Sequence, residues 1–126
     1  MSSPTEHNLK DRTKKFGLRI IRMFSRLPDT PQAQVIGKQV LRSGTFVGAN
    51  YREAFRGRSR AEFISKCGDS RRELEETAYW LELLADADLV RAERLVSFAE
   101  GSPRVDRHFR YHSEAFERET FLTHNS

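Results

Sequence analysis

Gly37, Val40, Gly44, Val47, Tyr51 and Ala54 recur at alternating spacings of three and four residues. That is the stripe of one face of an α-helix. Each glycine in a helix interior costs about 1 kcal/mol relative to alanine. Gly37, Gly44 and Gly48 together are therefore a poor choice for a free surface helix. They suit a helix that another backbone approaches closely, or one whose missing Cβ atoms leave room for a neighbour's bulky side chain. The stretch LRSGTFVGANYREAFRGR (Leu41 to Arg58), with Gly37 before it, thus reads as the central helix of a tightly packed bundle.

The chain has 126 residues, enough for one domain with a single core. A hydrophobic content of 37% is low for a monomer of this size, and 32% of the residues are charged. Both fit a helical bundle that completes its burial by oligomerising. The one cysteine, Cys67, excludes an intrachain disulfide and a cysteine-based zinc site. It falls on the apolar stripe of a predicted helix and reads as a buried small hydrophobe. No apolar run approaches the roughly 20 residues needed to span a bilayer. The opening MSSPTEHNLKDR has no apolar signal core, so a cytoplasmic location is expected.

A net charge of +4 conceals an uneven distribution. Residues 1–60 hold thirteen Lys and Arg against four Asp and Glu, whereas residues 61–100 hold five against ten. The remaining tail is balanced at four against four. Such asymmetry points to an anion-seeking surface on the first two helices. Pairing with the acidic third helix, within or between subunits, is the competing use.

Residues 1–8 are polar and without period, and disorder is expected there. A first helix is predicted from about Leu9 to Leu27, stopped by Pro28. Leu9, Phe16, Ile20, Met23 and Leu27 form its apolar stripe, widened by Ile21 and Phe24. Beside it runs a stripe of cations: Arg12, Lys15, Arg19, Arg22 and Arg26. Thr30 is the predicted N-cap of the second helix, with Pro31 at its first position. That helix should reach about Arg56, with Gly57 as its C-cap and Ser59 capping a third helix from Arg60 to about Ala87. Phe63, Cys67, Leu74, Leu81 and Leu84 face inward on the third helix, joined by Ile64, Ala78 and Trp80. Short connections make neighbouring helices antiparallel. Val90 to Glu100 would begin a fourth helix, after which the apolar period is lost.

The segments KDRTKKFGLRIIRMFSRLP, QVLRSGTFVGANYREAFRGRSRAEFISK and EETAYWLELL together resemble a family of small bacterial four-helix bundle proteins. That family includes the proteins encoded by intervening sequences in 23S ribosomal RNA genes, and it is related to the accessory protein of diversity-generating retroelements. The resemblance covers about residues 9–100. It implies an all-α, antiparallel up-and-down four-helix bundle, assembled into a homo-oligomeric ring, typically a pentamer, with a basic outer surface. In the retroelement relatives the assembly binds nucleic acid and a reverse transcriptase. Relatives end in an apolar fourth helix of the kind ELIAIFVTIRK, which this chain lacks. Codons for Glu100 to Ala115 can be chosen so that the frame one nucleotide on reads RDLRELIAIFVTIRK. The reading is one domain over residues 1–126: a bundle at 9–100 and a tail at 101–126 that is a frameshift product, leaving the fourth helix degraded. The encoding DNA tests this.

Arg42, Ser43, Asn50 and Glu53 on the second helix, with Glu73, Glu76 and Trp80 on the third, match polar positions of the family pattern. Glu73, Glu76 and Trp80 share one helical face. Carboxylates facing an arginine on the next helix suggest a buried ionic network that fixes register. Metal or acid–base chemistry in such bundles needs a Glu-x-x-His or an equivalent nitrogen donor. No histidine lies between His7 and His108. His108 and His112 stand at i, i+4 but have no third ligand at a matching spacing. No phosphate loop, catalytic triad or dinucleotide turn is present. No metal, cofactor or enzyme class is expected.

The first-helix cations lack interspersed glutamates, unlike an ordinary mixed-sign surface. Arg52, Arg56, Arg58 and Arg60 make a second cluster at the corner between the second and third helices. The expected function is non-enzymatic: sequence-independent binding of RNA or DNA by an oligomer whose arginines act on phosphates. The alternative is a structural adaptor whose basic edge meets an acidic protein.

Overall fold

The computed structural model describes residues 4–91, and the side chains from Asn8 onward. Within them the chain is all-α: α1 spans Pro4–Ser25, α2 Pro31–Ala54 and α3 Arg60–Asp86. The order expected for residues 9–87 is observed. α1 begins earlier than expected, because Pro4 belongs in a first turn that needs no N–H from it. Once the packed part of α1 is nucleated, the residues before it extend the helix at little cost.

The caps explain where each helix starts. Thr30, in extended conformation, accepts the Ala33 N–H at 3.2 Å, and Pro31 follows at the first helical position. Ser59 accepts the Glu62 N–H at 3.1 Å, while Glu62 Oε2 accepts the Arg58 N–H at 2.5 Å. This is a capping box displaced by one residue. α2 ends at Ala54, before Arg56, in a run of tight bonds from the N–H groups of Phe55, Arg56 and Gly57 back to the carbonyls three residues earlier. Gly57 is not a left-handed C-cap. It is there for space: a Cβ would stand 3.2 Å from the Ala54 carbonyl oxygen and 3.3 Å from Phe63 N. α3 closes in a Schellman motif, with Leu89 N–H on Leu84 O, Asp88 N–H on Ala85 O, and Asp88 at φ 58°.

α2 is the shared wall. Along its length Gly48 meets Thr13, Gly44 meets Ile20 and Gly37 meets Phe24 and Leu27, so α1 runs antiparallel to it. On the other side Glu53 meets Lys66, Val47 meets Ser70 and Ser43 meets Thr77, so α3 is antiparallel as well. Among the described helices, α1 and α3 have no Cα pair within 8 Å. The core has two parts. Ile20, Met23, Val40, Val47, Leu74, Leu81 and Leu84 pack toward one end; Leu9, Tyr51, Ala54, Phe63 and Cys67 pack at the other.

Two apolar side chains expected inside are outside: Ile21 is 47% exposed and Ile64 52%. Each follows a buried residue, Ile20 and Phe63, and one step around a helix is about 100°. Their own neighbours then take the core face. Val90 and Arg91 are not helical. The rest of the expected fourth helix, the tail from Gly101 with its frameshift reading, and His108 and His112 lie outside the described residues.

Candidate nucleic-acid interface

Two cationic features survive folding as surface features, and they differ in how their charge is used. On α1, Arg22 and Arg26 are exposed, and Arg12 and Arg19 are half-buried beside the apolar stripe. Arg12, Arg19 and Arg26 each have interactions of their own. Lys15 is not an unopposed charge: its Nζ lies 2.9 Å from Asp11 Oδ2, one turn back. An exposed i, i+4 pair of this orientation adds only about 0.3–0.5 kcal/mol, yet it neutralises one member of the row. The unmixed edge expected from the arginine and lysine positions is thus interrupted by Asp11.

At the α2–α3 corner the cations stand differently. Arg52 and Arg56 project from the last turn of α2 and the connection after it, and Arg58 and Arg60 bracket the Ser59 cap. All four are exposed. Arg56, Arg58 and Arg60 make no ion pair among the described residues. A cleft of about 610 Å³ opens there, with Arg52, Glu53 and Arg56 on one wall and Glu62, Ser65 and Lys66 on the other. Lys66, which the arginine spacing did not bring into view, lies 3.5 Å from Glu53 Oε2. Arg52 Nη2 approaches the Lys10 carbonyl to 3.5 Å, and Lys10 Nζ sits 4.5 Å above the Phe55 ring. The first turns of α1 therefore join this corner. Tyr51 is fully buried and Phe55 half-buried; with Phe63 they form edge-on pairs at 5.1 Å. Tyr51 and Phe63 belong to the core, and Phe55 is partly covered by Lys10, so these three rings are not an open platform for bases.

The second group of residues, expected as a buried ionic network, divides into parts. Ser43 is fully buried, its Oγ 2.9 Å from the Gln39 carbonyl and 2.8 Å from Thr77 Oγ1. Thr77 Oγ1 in turn lies 2.7 Å from the Glu73 carbonyl. Each hydroxyl has one proton, so one of the two donates across the interface and the other to its own helix. Ser70 Oγ donates to the Val47 carbonyl at 2.5 Å. Neutral hydroxyls therefore link α2 to α3 inside. Ser70 and Thr77 fill the gaps in the stripe Phe63, Cys67, Leu74, Leu81, and that period was the signal for them.

Of the charged members, Arg42 and Glu53 are exposed and Glu73 and Glu76 half-buried. Arg42 is exposed, its guanidinium 4.9 Å from the Phe46 ring centroid. Trp80 Nε1 donates to Glu76 Oε1 at 3.1 Å. Glu73 is half-buried, and its Oε2 is enclosed with no hydrogen-bond donor beside it among the described residues. Burial raises the Glu73 pKa, with the neighbouring Glu76 acting in the same direction and Arg42 opposing. Asn50 is half-buried on α2, and Glu53 turns to Lys66 instead of this cluster. Among the described residues no three His, Cys, Asp or Glu side chains converge as metal ligands, and no helix is long and apolar enough to cross a membrane.

Comparison with known proteins settles the lineage. The model of the 23S rRNA-intervening sequence protein family matches residues 5–108. The chain belongs to that family. The match takes in the whole bundle expected at 9–100 and continues past Gly101, where the tail was expected to begin. A solved structure from Bacteroides thetaiotaomicron, a protein of unknown function from the S23 ribosomal protein family, is similar at 30% identity and a TM-score of 0.69. The similarity covers 94% of this chain and 99% of that one. No curated protein matches.

Proposed function

We propose that this member of the 23S rRNA-intervening sequence protein family is a non-enzymatic, cytoplasmic helical bundle that self-associates and binds RNA through sequence-independent contacts to phosphate. The observation that carries the reading is the α2–α3 corner, where Arg56, Arg58 and Arg60 are exposed without ion pairs among the described residues. Backbone phosphates need no more than such point charges, and base readout would need stacking rings or groove-fitting elements. The core position of Tyr51 favours phosphate contact over stacking.

Self-association gathers weak contacts into avidity. Exposed apolar side chains, among them Leu18, Ile21, Phe46 and Tyr79, supply material for contacts between copies. A pentameric ring is the form the family resemblance suggests, and the retroelement relationship adds a reverse transcriptase as a protein partner. RNA is preferred to DNA because both the family name and the relative's name refer to ribosomal components.

A salt titration tests the reading. Affinity for single-stranded RNA should fall log-linearly with salt, with a slope of about −0.7 per phosphate neutralised. Failure of the intact chain to bind RNA or DNA at low salt rules the reading out and leaves the adaptor with an acidic partner.

A further inference from the structure

Antiparallel folding redistributes charge in a way that chain order hides. The first turns of α1, the last of α2 and the first of α3 share one end of the molecule, where Arg52 reaches the Lys10 carbonyl and Lys66 meets Glu53. Residues 8–15 and 49–67, at this end, hold nine Lys and Arg against three Asp and Glu. Residues 22–38 and 80–91, at the opposite end, hold four against four. The α1 row is divided by the same geometry. Arg12 and Lys15 lie toward the basic end, and Arg26 lies eleven residues beyond Lys15, a distance of roughly 16 Å at 1.5 Å per residue.

The three carboxylates at the basic end are all engaged: Asp11 with Lys15 at 2.9 Å, Glu53 with Lys66 at 3.5 Å, and Glu62 with the Arg58 N–H at 2.5 Å. At this end the cations that remain uncommitted among the described residues are Lys14, Arg56, Arg58 and Arg60, the arginines standing next to a cleft walled by Arg52 and Lys66. On the α1 row Arg22 is uncommitted as well. The N–H groups that open α3 are not the attraction, because Ser59 and Glu62 already cap that turn. Attraction at this end comes from side chains.

We infer that a nucleic acid's phosphodiester backbone docks end-on at this corner, with Arg56, Arg58 and Arg60 as principal contacts and the α1 row as a lesser one. The inference rests on the polyanion reading above and locates its site. Three unpaired arginines lie within five residues at the corner. On the α1 row Arg22 alone is unpaired among the described residues, Arg12, Arg19 and Arg26 have interactions of their own, and Lys15 must leave Asp11 to bind phosphate.

The test uses the full chain and a fluorescently labelled oligouridylate of about twenty nucleotides, long enough for one or more sites of the usual size. The triple variant R56A/R58A/R60A is expected to weaken binding at least tenfold and to flatten the log-affinity against log-salt slope by about 2, since three contacts are lost. The double variant R19A/R22A should change affinity by less than threefold. Equal or greater loss in R19A/R22A overturns the corner site and leaves the polyanion reading standing. Binding of polyglutamate but not of oligouridylate by the intact chain overturns both. Should the triple variant lose its helical circular dichroism, R60Q alone decides: a slope reduced by about 0.7 supports the site, and an unchanged slope overturns it.

Discussion

Ile20 occupies the place where Gly44 would carry a Cβ: a methyl there would stand 2.7 Å from Ile20 Cγ1 and 2.9 Å from Cγ2. These atoms branch from the Ile20 Cβ, whose χ1 is close to fixed in a helix, so they cannot swing aside. Gly44→Ala should therefore lose about 1–3 kcal/mol through overpacking, more than the roughly 1 kcal/mol gained in helix propensity. Urea unfolding should show a lower midpoint. Combined with Ile20→Ala, the loss should be smaller than the sum of the two single losses. Gly37 faces Phe24 and the flexible end of Leu27, and Gly37→Ala should be the milder change. Equal costs at the two sites would contradict this packing.

Glu73 makes stability depend on pH with a definite sign. Its folded pKa is raised, chiefly by burial, so the folded state holds this proton at a pH where the unfolded chain has released it. The contribution is full below the ordinary glutamate pKa and is lost as pH rises through the raised folded value. Glu73→Gln should raise Tm at neutral pH and leave it nearly unchanged near pH 4, an approximate lower limit set by the ordinary pKa of about 4.3. A Tm gain that is the same at both pH values would contradict the assignment. Trp80, the chain's only tryptophan, bonds Glu76 beside this pair. Its fluorescence offers a second readout.

Cys67 should be chemically silent in the folded protein. Burial pushes its thiol up to about 12, and the thiolate is the reactive form. Iodoacetamide should leave it unmodified under native conditions and alkylate it in urea, as followed by intact mass. Rapid native labelling would mean that the Leu9–Tyr51–Phe63 end of the core opens readily.

Asp88 sits at φ 58°, a left-handed conformation that favours glycine. Asp88→Gly should stabilise α3 by about 0.5–1 kcal/mol, because the strain of a Cβ there outweighs glycine's added freedom in the unfolded chain. Thermal melts check this. A lower Tm would show that the carboxylate contributes more at that turn than its backbone costs.

The α2 stripe was legible because Gly37, Gly44 and Gly48 have no other good use in a helix, and their period states which face is covered. What they meet was not legible, since Ile20, Thr13 and Leu27 are fixed only by the register of two helices. Gly17 on α1, buried with its missing Cβ 3.9 Å from the Thr45 Cα, went unread for the same reason. Ile21 and Ile64 were placed inside because hydrophobicity says nothing about a 100° step. At the site, the arginines were visible as charge. Their cluster at the corner was read as well, but not that Lys10 and Lys66 join it, because these lie on α1 and α3 and come to Arg52 only through topology. Asp11 was overlooked as the partner of Lys15, although one helical turn separates them.

Among the described residues, the lopsided ends give the three helices an electric dipole along their common direction. If the proposed polyanion is the partner, such a body feels a torque before it feels a contact, and its Arg56–Arg60 end would turn forward during approach. Orientation, usually a matter of chance in a diffusive encounter, is then partly decided at a distance, over a range that added salt shortens.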